Sequence, residues 1–349
     1  MAYTTIDDPS AYFKVKLYTG NSSTNAITFD DTDTDMQPDM VYIKQRSHAG
    51  HESAIFDAVR GTSKDITPNS TAVEGSQSGV TAFGSDGFTL GSANDFNYNT
   101  YTYVAWCWKA NGSGAANTAG SINTTKTSAN TTSGISINTY SGTGSNATIG
   151  HGLGVAPTVV LCKNMGSSGD WWNWNCFSAA ALGNTGRIYF NSAGSNSAAT
   201  QAWNSTAPTS TLVSLGTNGE VNGSSMILYA FAPIQGFSKF GQYEGSGSTT
   251  DNTFVYLGFK PAMIIVKAID TANQWNMFDN KRNTGNPMDK RLFADSTDAE
   301  TTYASFDFLS NGFKVRNTSV GIGTADTFAY MAWAEAPFVN SNGVPCTAR

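Results

Sequence analysis

Short stretches in which apolar and polar residues alternate recur along the chain, and they predict β-strands. Residues 13–18 (Phe-Lys-Val-Lys-Leu-Tyr) place every second side chain on one face, as in a strand with one buried side. Residues 263–266 (Met-Ile-Ile-Val) are apolar throughout, which is typical of a strand covered on both faces. Gly or Pro interrupts almost every window long enough for a helix, so the pattern predicts an all-β protein.

The strand pattern occurs in three copies of roughly 100 residues each. An entry strand ends in aromatic-x-Gly at residues 18–20, 140–142 and 243–245. A second strand runs from Pro to Lys, and the exit strand contains a large aromatic residue. We align the copies on Pro38, Lys44 and Trp106, then Pro157, Lys163 and Phe231, then Pro261, Lys267 and Trp333. This period exceeds that of solenoid repeats, so each copy is expected to be a domain with its own core.

Each copy is predicted to be an antiparallel β-sandwich, with a closed barrel as the alternative. The sandwiches are assigned to residues 1–110, 135–236 and 237–338, and a polar tail to residues 339–349. Residues 111–134 are rich in Gly, Ser, Thr and Asn, with little apolar surface, and are predicted to be a flexible linker. Three such domains could extend as a rod or close around a pseudo-threefold axis, and the sequence favours neither.

Composition narrows the classes of partner. Charged residues make up 13% of the chain, its formal net charge is -6, and no basic stripe is present, which argues against nucleic-acid binding. No segment approaches the ~20 apolar residues of a membrane-spanning helix, and we identify no secretory signal at the N-terminus. Four cysteines lack any CxxC spacing, so we interpret them as buried, reduced thiols of a protein made in a cytosol.

The best candidate for a ligand site is a cluster of aromatic residues in the second copy. Trp171, Trp172 and Asn173 could form a flat platform for sugar rings, with packing against a neighbouring domain as the alternative. Trp174 is aligned with Trp275 of the third copy and is therefore predicted to be a core residue. The sequence thus predicts glycan binding at Trp171, Trp172 and Asn173.

An acidic run in the first copy is the candidate for a metal site. Asp30, Asp31, Asp33 and Asp35 lie at spacings from which carboxylates can converge on calcium. The run lacks the glycine and distal glutamate of an EF-hand loop and has no counterpart in the other copies. We interpret it as a solvated loop, with calcium binding as the alternative and no other cofactor expected.

The three histidines are poor candidates for catalysis. His48 and His51 could share a metal, but no third ligand is evident, and surface placement is the preferred interpretation. His151 lies in a Gly-rich loop that does not open a helix, so it is a poor phosphate cradle. No nucleophile, base and acid set can be assembled, although a glycosidase carboxylate pair stays open. We therefore predict that the protein is not an enzyme.

Four segments carry a resemblance to a known family: residues 37–47, 56–61, 85–91 and 102–110. They resemble tandem-domain, tail-fibre-like or lectin-like virion proteins of tailed, often marine, bacteriophages. The resemblance is strongest in the first copy and weakest in the second. It implies lectin-like or jelly-roll-like sandwiches and a place on the virion surface after synthesis in the host cytoplasm, with no catalytic residues to transfer.

The function predicted from the copies and this resemblance is that of a non-enzymatic virion structural protein. We expect a tail fibre or appendage that contacts other virion proteins in a homo-oligomer or symmetric assembly and touches host-surface glycan. The alternatives are a head decoration protein and, from the enzyme class, a polysaccharide depolymerase. Neither nucleic acid nor membrane insertion is expected.

Overall fold

The structure is a computed structural model that describes residues 2–29, 34–175, 186–249, 252–318 and 321–345, with the side chains of residues 172–175 and 304 outside the description. The first repeat contains β1 (Phe13–Thr19), β2 (Asn25–Thr28), β3 (Met40–Gln45), β4 (Ala54–Asp57), β5 (Val80–Gly84), β6 (Gly87–Leu90) and β7 (Thr102–Trp108). The second contains β8 (Lys126–Asn130), β9 (Ile135–Tyr140), β10 (Ala147–Gly150), β11 (Val159–Asn164), β12 (Trp172–Asn175), β13 (Gly186–Tyr189), β14 (Ser197–Ala198), β15 (Leu212–Leu215) and β16 (Met226–Phe231). The third contains β17 (Ser238–Glu244), β18 (Phe254–Tyr256), β19 (Phe259–Ala268), β20 (Asn276–Asp279), β21 (Met288–Phe293), β22 (Thr301–Leu309), β23 (Gly312–Val315) and β24 (Thr327–Pro337). Within the described ranges, helical structure is limited to a 3-10 turn (Pro9–Ala11) and the short helices α1 (Asn94–Asn97) and α2 (Gly219–Asn222).

The first repeat is a sandwich of two antiparallel sheets. One has the strand order β1-β7-β3-β4 and the other β2-β6-β5. Val41 and Ile43 of β3 fill the space between the sheets together with Phe56, Phe88 and Phe96. Because side chains alternate along a strand, Met40, Tyr42 and Lys44 of β3 point away from this interior, toward the other repeats.

The second and third repeats contain the same four-stranded unit. The orders β9-β16-β11-β12 and β17-β24-β19-β20 correspond to β1-β7-β3-β4. In the second repeat β8, β13 and β14 extend this sheet to seven strands, and β10 pairs with β15 opposite it. In the third repeat β21 connects the two sheets into one of eight strands. The named strands all pair antiparallel, which confirms the predicted all-β, antiparallel sandwich fold.

The strand registers correct the alignment of the exit strands. In the Pro-to-Lys strands β3, β11 and β19, Met40 pairs with Trp108, Val159 with Phe231 and Met263 with Trp333 of the exit strands. Trp108 is therefore the equivalent of Phe231 and Trp333, and the alignment on Trp106 was wrong by two residues. Trp106 and Trp108 face the same side of β7, so a pattern with a period of two cannot separate them.

Residues 111–134 are not a flexible linker. Residues 126–130 form β8, which pairs with β9, and Ile122 packs into the core of the second repeat. Asn130 Nδ2 donates to the Ala110 carbonyl at 3.1 Å, and Ser128 Oγ accepts from the Asn111 amide at 2.8 Å. Backbone pairing and local hydrogen bonds from small polar side chains order a segment that has little apolar surface.

The polar tail is likewise held in place over the residues that the structure describes. Val339 and Pro345 form an isolated bridge, and the Ser341 amide donates to Asp7 Oδ1 at 2.6 Å. The two ends of the chain therefore meet.

The three four-stranded sheets pack against one another through the faces that turn away from their own sandwiches. At one end of this junction Trp333 lies between the other two equivalent rings, with centroid distances of 5.2 Å to Trp108 and 5.8 Å to Phe231. β3 and β11 are buried on both faces, as their apolar runs predict. The first two repeats keep separate interior clusters, whereas the interior of the third is continuous with this junction. The repeats thus form a ring around a shared core.

Candidate functional site

The lysine that ends each Pro-to-Lys strand joins its repeat to the next one. All three lysines are buried, and each ammonium group donates to a backbone carbonyl of a different repeat. The acceptors are Ser296 for Lys44 at 2.5 Å, Thr71 for Lys163 at 3.1 Å and Ala193 for Lys267 at 3.2 Å. These contacts run from the first repeat to the third, from the third to the second and from the second to the first. Their cyclic order is the strongest evidence for a pseudo-threefold arrangement.

Burial makes these ammonium groups stronger acids than lysines in water, because the charged form loses its hydration. Removal from solvent lowers the pKa of Lys44 to about 8, against the opposing effect of Asp298 and Asp295. Burial also lowers the pKa of Lys267 to about 8, and that of Lys163 shifts in the same direction. The three lysines therefore carry charge into the shared core at a cost in stability.

A buried carboxylate and arginine connect the first and third repeats. Arg282 Nε lies 2.6 Å from Asp279 Oδ2, and neither side chain is exposed. Trp106 Nε1 of the first repeat donates to the same oxygen at 3.1 Å. Arg46 adds two bonds to Glu300, both 2.9 Å, and Glu300 also lies 3.2 Å from Arg282 Nη1. We call this set the first–third seam.

A buried aspartate and arginine pair also joins the first and second repeats. Arg60 Nε lies 2.6 Å from Asp57 Oδ2, again three residues apart in sequence and buried. The Tyr229 hydroxyl of the second repeat donates to that oxygen at 2.7 Å. Burial raises the pKa of Tyr229 well above its usual value, which keeps the hydroxyl protonated as a donor. Tyr229 occupies the place that Trp106 holds in the first repeat, since both pair with the equivalent residue of the Pro-to-Lys strand.

The seam between the second and third repeats, the second–third seam, has a different composition. Asn175 takes the strand position of the two aspartates, and Met331 takes that of Trp106. Here Trp275 Nε1 donates to the Tyr189 carbonyl at 2.9 Å, and the Trp275 and Phe190 rings lie 5.0 Å apart. Among the described residues, this seam therefore lacks the buried Asp–Arg pair of the other two, and Lys267 is the charged group that it contains.

Sequence reasoning missed these ion pairs, although a signal was present. Phe-Asp-x-x-Arg occurs at residues 56–60 and 278–282 and is absent from the second repeat. The aspartate accepts from the backbone amide of the arginine at 2.9 Å in both repeats, so the spacing of three closes a local turn. The retained arginine was the feature that could have identified the seams.

Of the three residues of the predicted glycan platform, the structure describes the side chain of Trp171. Trp171 is fully buried, and its Nε1 donates to the Thr67 carbonyl of the first repeat at 2.9 Å. The register makes Trp171, not Trp174, the equivalent of Trp275. A buried indole has no face open to a sugar ring, so Trp171 contributes to packing between repeats. The side chains of Trp172 and Asn173 lie outside the described residues.

The structure describes one of the four candidate calcium ligands. Asp35 is exposed, while Asp30, Asp31 and Asp33 lie outside the described ranges. His48 stacks on Tyr101 with ring centroids 3.8 Å apart, and His51 Nδ1 lies 3.1 Å from Asp95 Oδ1. No group of three or more His, Cys, Asp or Glu suited to a metal ion occurs in the part of the chain that the structure describes.

His151, Cys107 and Cys162 are buried. His151 is enclosed, with Nε2 3.1 Å from the Thr209 carbonyl, and burial lowers its pKa. Cys107 and Cys162 are buried free thiols, as predicted, and burial raises the pKa of Cys162 to about 12. Cys176 and Cys346 lie outside the described residues. None of the helices in the described ranges has the length and apolar character needed to cross a bilayer.

Exposed aromatic residues offer a surface that sequence reasoning did not identify. Phe254 and Tyr256 of β18 are 44% and 47% exposed, and Tyr98 beside α1 is 40% exposed. The signal for the first pair is an aromatic-Val-aromatic strand with the aromatic residues at the outward positions.

Comparison with known proteins identifies one family. A single family model, described as Domain of unknown function (DUF7483), matches residues 8–337 and so spans all three repeats. No curated protein matches the chain.

Proposed function

Since the chain belongs to the DUF7483 family, whose description states no function, we propose from its geometry that it is a non-enzymatic structural protein of a tailed bacteriophage particle. The observation that carries this proposal is that deeply buried charged residues bind neighbouring repeats. Lys44, Asp57 and Asp279 all contact a neighbouring repeat. Buried, paired charges in such positions hold repeats together and are closed to a substrate.

The ring of repeats supports an architectural role. Most soluble oligomers have closed symmetry, and a single chain with three equivalent sandwiches reproduces the interfaces of a cyclic trimer without depending on concentration. Such a chain fits a site on the particle where a threefold or pseudo-threefold arrangement is needed. The resemblance of the first repeat to virion proteins points to the same setting.

Within that setting we propose a tail fibre or appendage on the virion surface, in contact with other virion proteins and with glycan of the host surface. The protein would be made in the host cytoplasm and added during assembly. A head decoration protein is the second candidate, because a one-chain ring could equally cover a threefold position of a capsid.

Labelling of intact particles tests the proposal. Antibodies against the purified chain, detected by electron microscopy, are expected to mark the tail tip or fibres. Label on the head would favour decoration, and absence of the chain from purified particles by mass spectrometry would refute a structural role. Release of reducing sugar from host polysaccharide by the purified chain would instead support a depolymerase.

A further inference from the structure

Two aromatic rings stand side by side on the outer surface of the third repeat. Phe254 and Tyr256 flank Val255, which is buried against β23. Because alternate side chains of a strand share a face, the two exposed rings lie on one side of β18, about 7 Å apart along the strand. The matched positions are small or polar in the other repeats: Ala26 and Thr28 in the first, Thr148 and Gly150 in the second. The aromatic pair therefore belongs to the third repeat alone.

Polar groups border both rings. Lys239 Nζ lies 5.5 Å from the centre of the Tyr256 ring and donates to the Tyr256 carbonyl at 2.7 Å. The Tyr3 hydroxyl lies 3.3 Å from the Tyr256 hydroxyl. Lys314 is directly opposite Phe254 on β23, so its side chain is on the same face.

The flank of Tyr256 is left open by a glycine. Gly312 is the residue directly opposite Tyr256, and a Cβ there would lie 2.0 Å from the Val255 carbonyl oxygen. The close approach of the two strands thus excludes a side chain at this position. The residue of β23 opposite Tyr256 therefore carries no side chain.

Local charge differs from that of the whole chain. Lys239 and Lys314 border the rings, while Asp307, next to Lys314 on β22, is paired with Arg316 at 2.5 Å. The chain as a whole has a formal net charge of -6. Among the described residues, the charged side chains named beside the rings are therefore net positive on an acidic protein, which favours an anionic ligand.

We propose that Phe254, Tyr256, Lys239, Lys314 and Tyr3, together the aromatic strip, bind a polysaccharide that carries carboxylate groups. The rings pack against the apolar faces of successive sugars, and the ammonium groups pair with carboxylates. This inference deepens the proposed function and rests on it only for the source of the polysaccharide, the host surface.

Affinity electrophoresis of the full chain in native gels that contain alginate or dextran tests the aromatic strip. Alginate carries a carboxylate on each sugar and dextran carries none. Alginate is expected to retard the protein and dextran to leave its migration unchanged. The double substitution Phe254→Ala/Tyr256→Ala should raise the apparent dissociation constant for alginate about tenfold or more. Tyr98→Ala is the matched control, because it removes a similarly exposed ring from the first repeat.

A second variant separates the charges from the rings. Lys314→Gln should weaken alginate binding and reduce its dependence on salt, since screening acts on the ammonium group. All of these positions are at least partly exposed, and unchanged urea midpoints are expected. No retardation by alginate, equal retardation by dextran, or unaltered binding by the double variant would overturn the inference, as would self-association through the strip in analytical ultracentrifugation. These outcomes are independent of where the protein lies on the particle.

Discussion

The first–third seam and the second–third seam join equivalent surfaces with different chemistry. At the first–third seam, Asp279 pairs with Arg282 and accepts a hydrogen bond from Trp106, and Arg282 also contacts Glu300. The second–third seam has Asn175 and Met331 at the matching strand positions and uses the Trp275 indole on a carbonyl. Because unpaired buried charges are costly, single substitutions in the Asp279 and Arg282 pair should destabilise the protein more than single substitutions at the matching positions of the second–third seam. We therefore expect two of the three seams to be sensitive to single substitutions and the second–third seam to be less sensitive.

Removal of the aspartate at the first–third seam should have the largest effect. Asp279→Ala leaves the fully buried Arg282 without its closest partner and is expected to lower the free energy of unfolding by about 3 to 5 kcal/mol. Urea denaturation followed by tryptophan fluorescence measures it.

Two controls accompany this change. Asp289→Asn removes a carboxylate that is 30% exposed and 4.0 Å from Lys290, and it should alter stability by less than about 1 kcal/mol. The double substitution Asp279→Leu/Arg282→Met should recover part of the loss, because the arginine is no longer left unpaired while Trp106 Nε1 still lacks its acceptor. A double variant as unstable as Asp279→Ala would show that the lost hydrogen bonds and packing, not the unpaired charge, cause the instability.

A matched pair of indole substitutions compares the seams directly. Trp106→Phe removes a hydrogen bond to a carboxylate, at an expected cost of about 1.5 to 3 kcal/mol, whereas Trp275→Phe removes one to a neutral carbonyl, at about 1 kcal/mol. Both side chains are buried, so the loss of ring volume affects them alike. Urea midpoints of the two variants give the difference, and equal midpoints would contradict the distinction between the seams.

The sequence predicts the strands of this protein better than it predicts how the repeats meet. Runs such as residues 263–266 identify strands buried on both faces, and the Pro and Lys landmarks occupy equivalent places in all three repeats. What covers the second face of those strands is another repeat, and nothing local in the sequence states this. The same limit explains Trp171, whose place between repeats depends on the Thr67 carbonyl about a hundred residues away.

Two other features of the structure, an ordered polar segment and a pair of exposed aromatic residues, could not be predicted from composition. Residues 111–134 contain few apolar residues, yet β8 is ordered by pairing with β9, a contact set by the neighbouring strand. The strip at Phe254 and Tyr256 is exposed because β18 lies on the outside of the ring, while aromatic residues elsewhere on the chain are largely interior. In both cases the neighbour, and not the residue type, decides the environment.

Lys44 lies at the first–third seam and Lys267 at the second–third seam, and the pKa of each is about 8. Because these pKa values are alike, substitution of the two lysines should show the smallest difference in stability between the seams. Both values are lower than the usual value of 10.5, so between pH 8 and 10.5 the unfolded chain retains a proton that the folded chain has released. Stability should therefore rise with pH above about 8, by at most about 1.4 kcal/mol per pH unit for each lysine.

Urea midpoints at pH 7.5, 8.5 and 9 measure this rise. Thiols of the unfolded chain ionise at about pH 8.5, within this range, and because burial raises the pKa of Cys107 and Cys162 these two residues oppose the trend. The effect of each lysine is therefore measured as the difference in slope between the unsubstituted chain and its variant. Lys44→Met and Lys267→Met should each reduce the slope by a similar amount, since methionine does not titrate and the unpaired carbonyl that it leaves costs the same at every pH. A slope that falls in only one of the two variants would mean that the seams differ in how they exclude water from the ammonium group, and the contrast between them would then extend beyond the carboxylates.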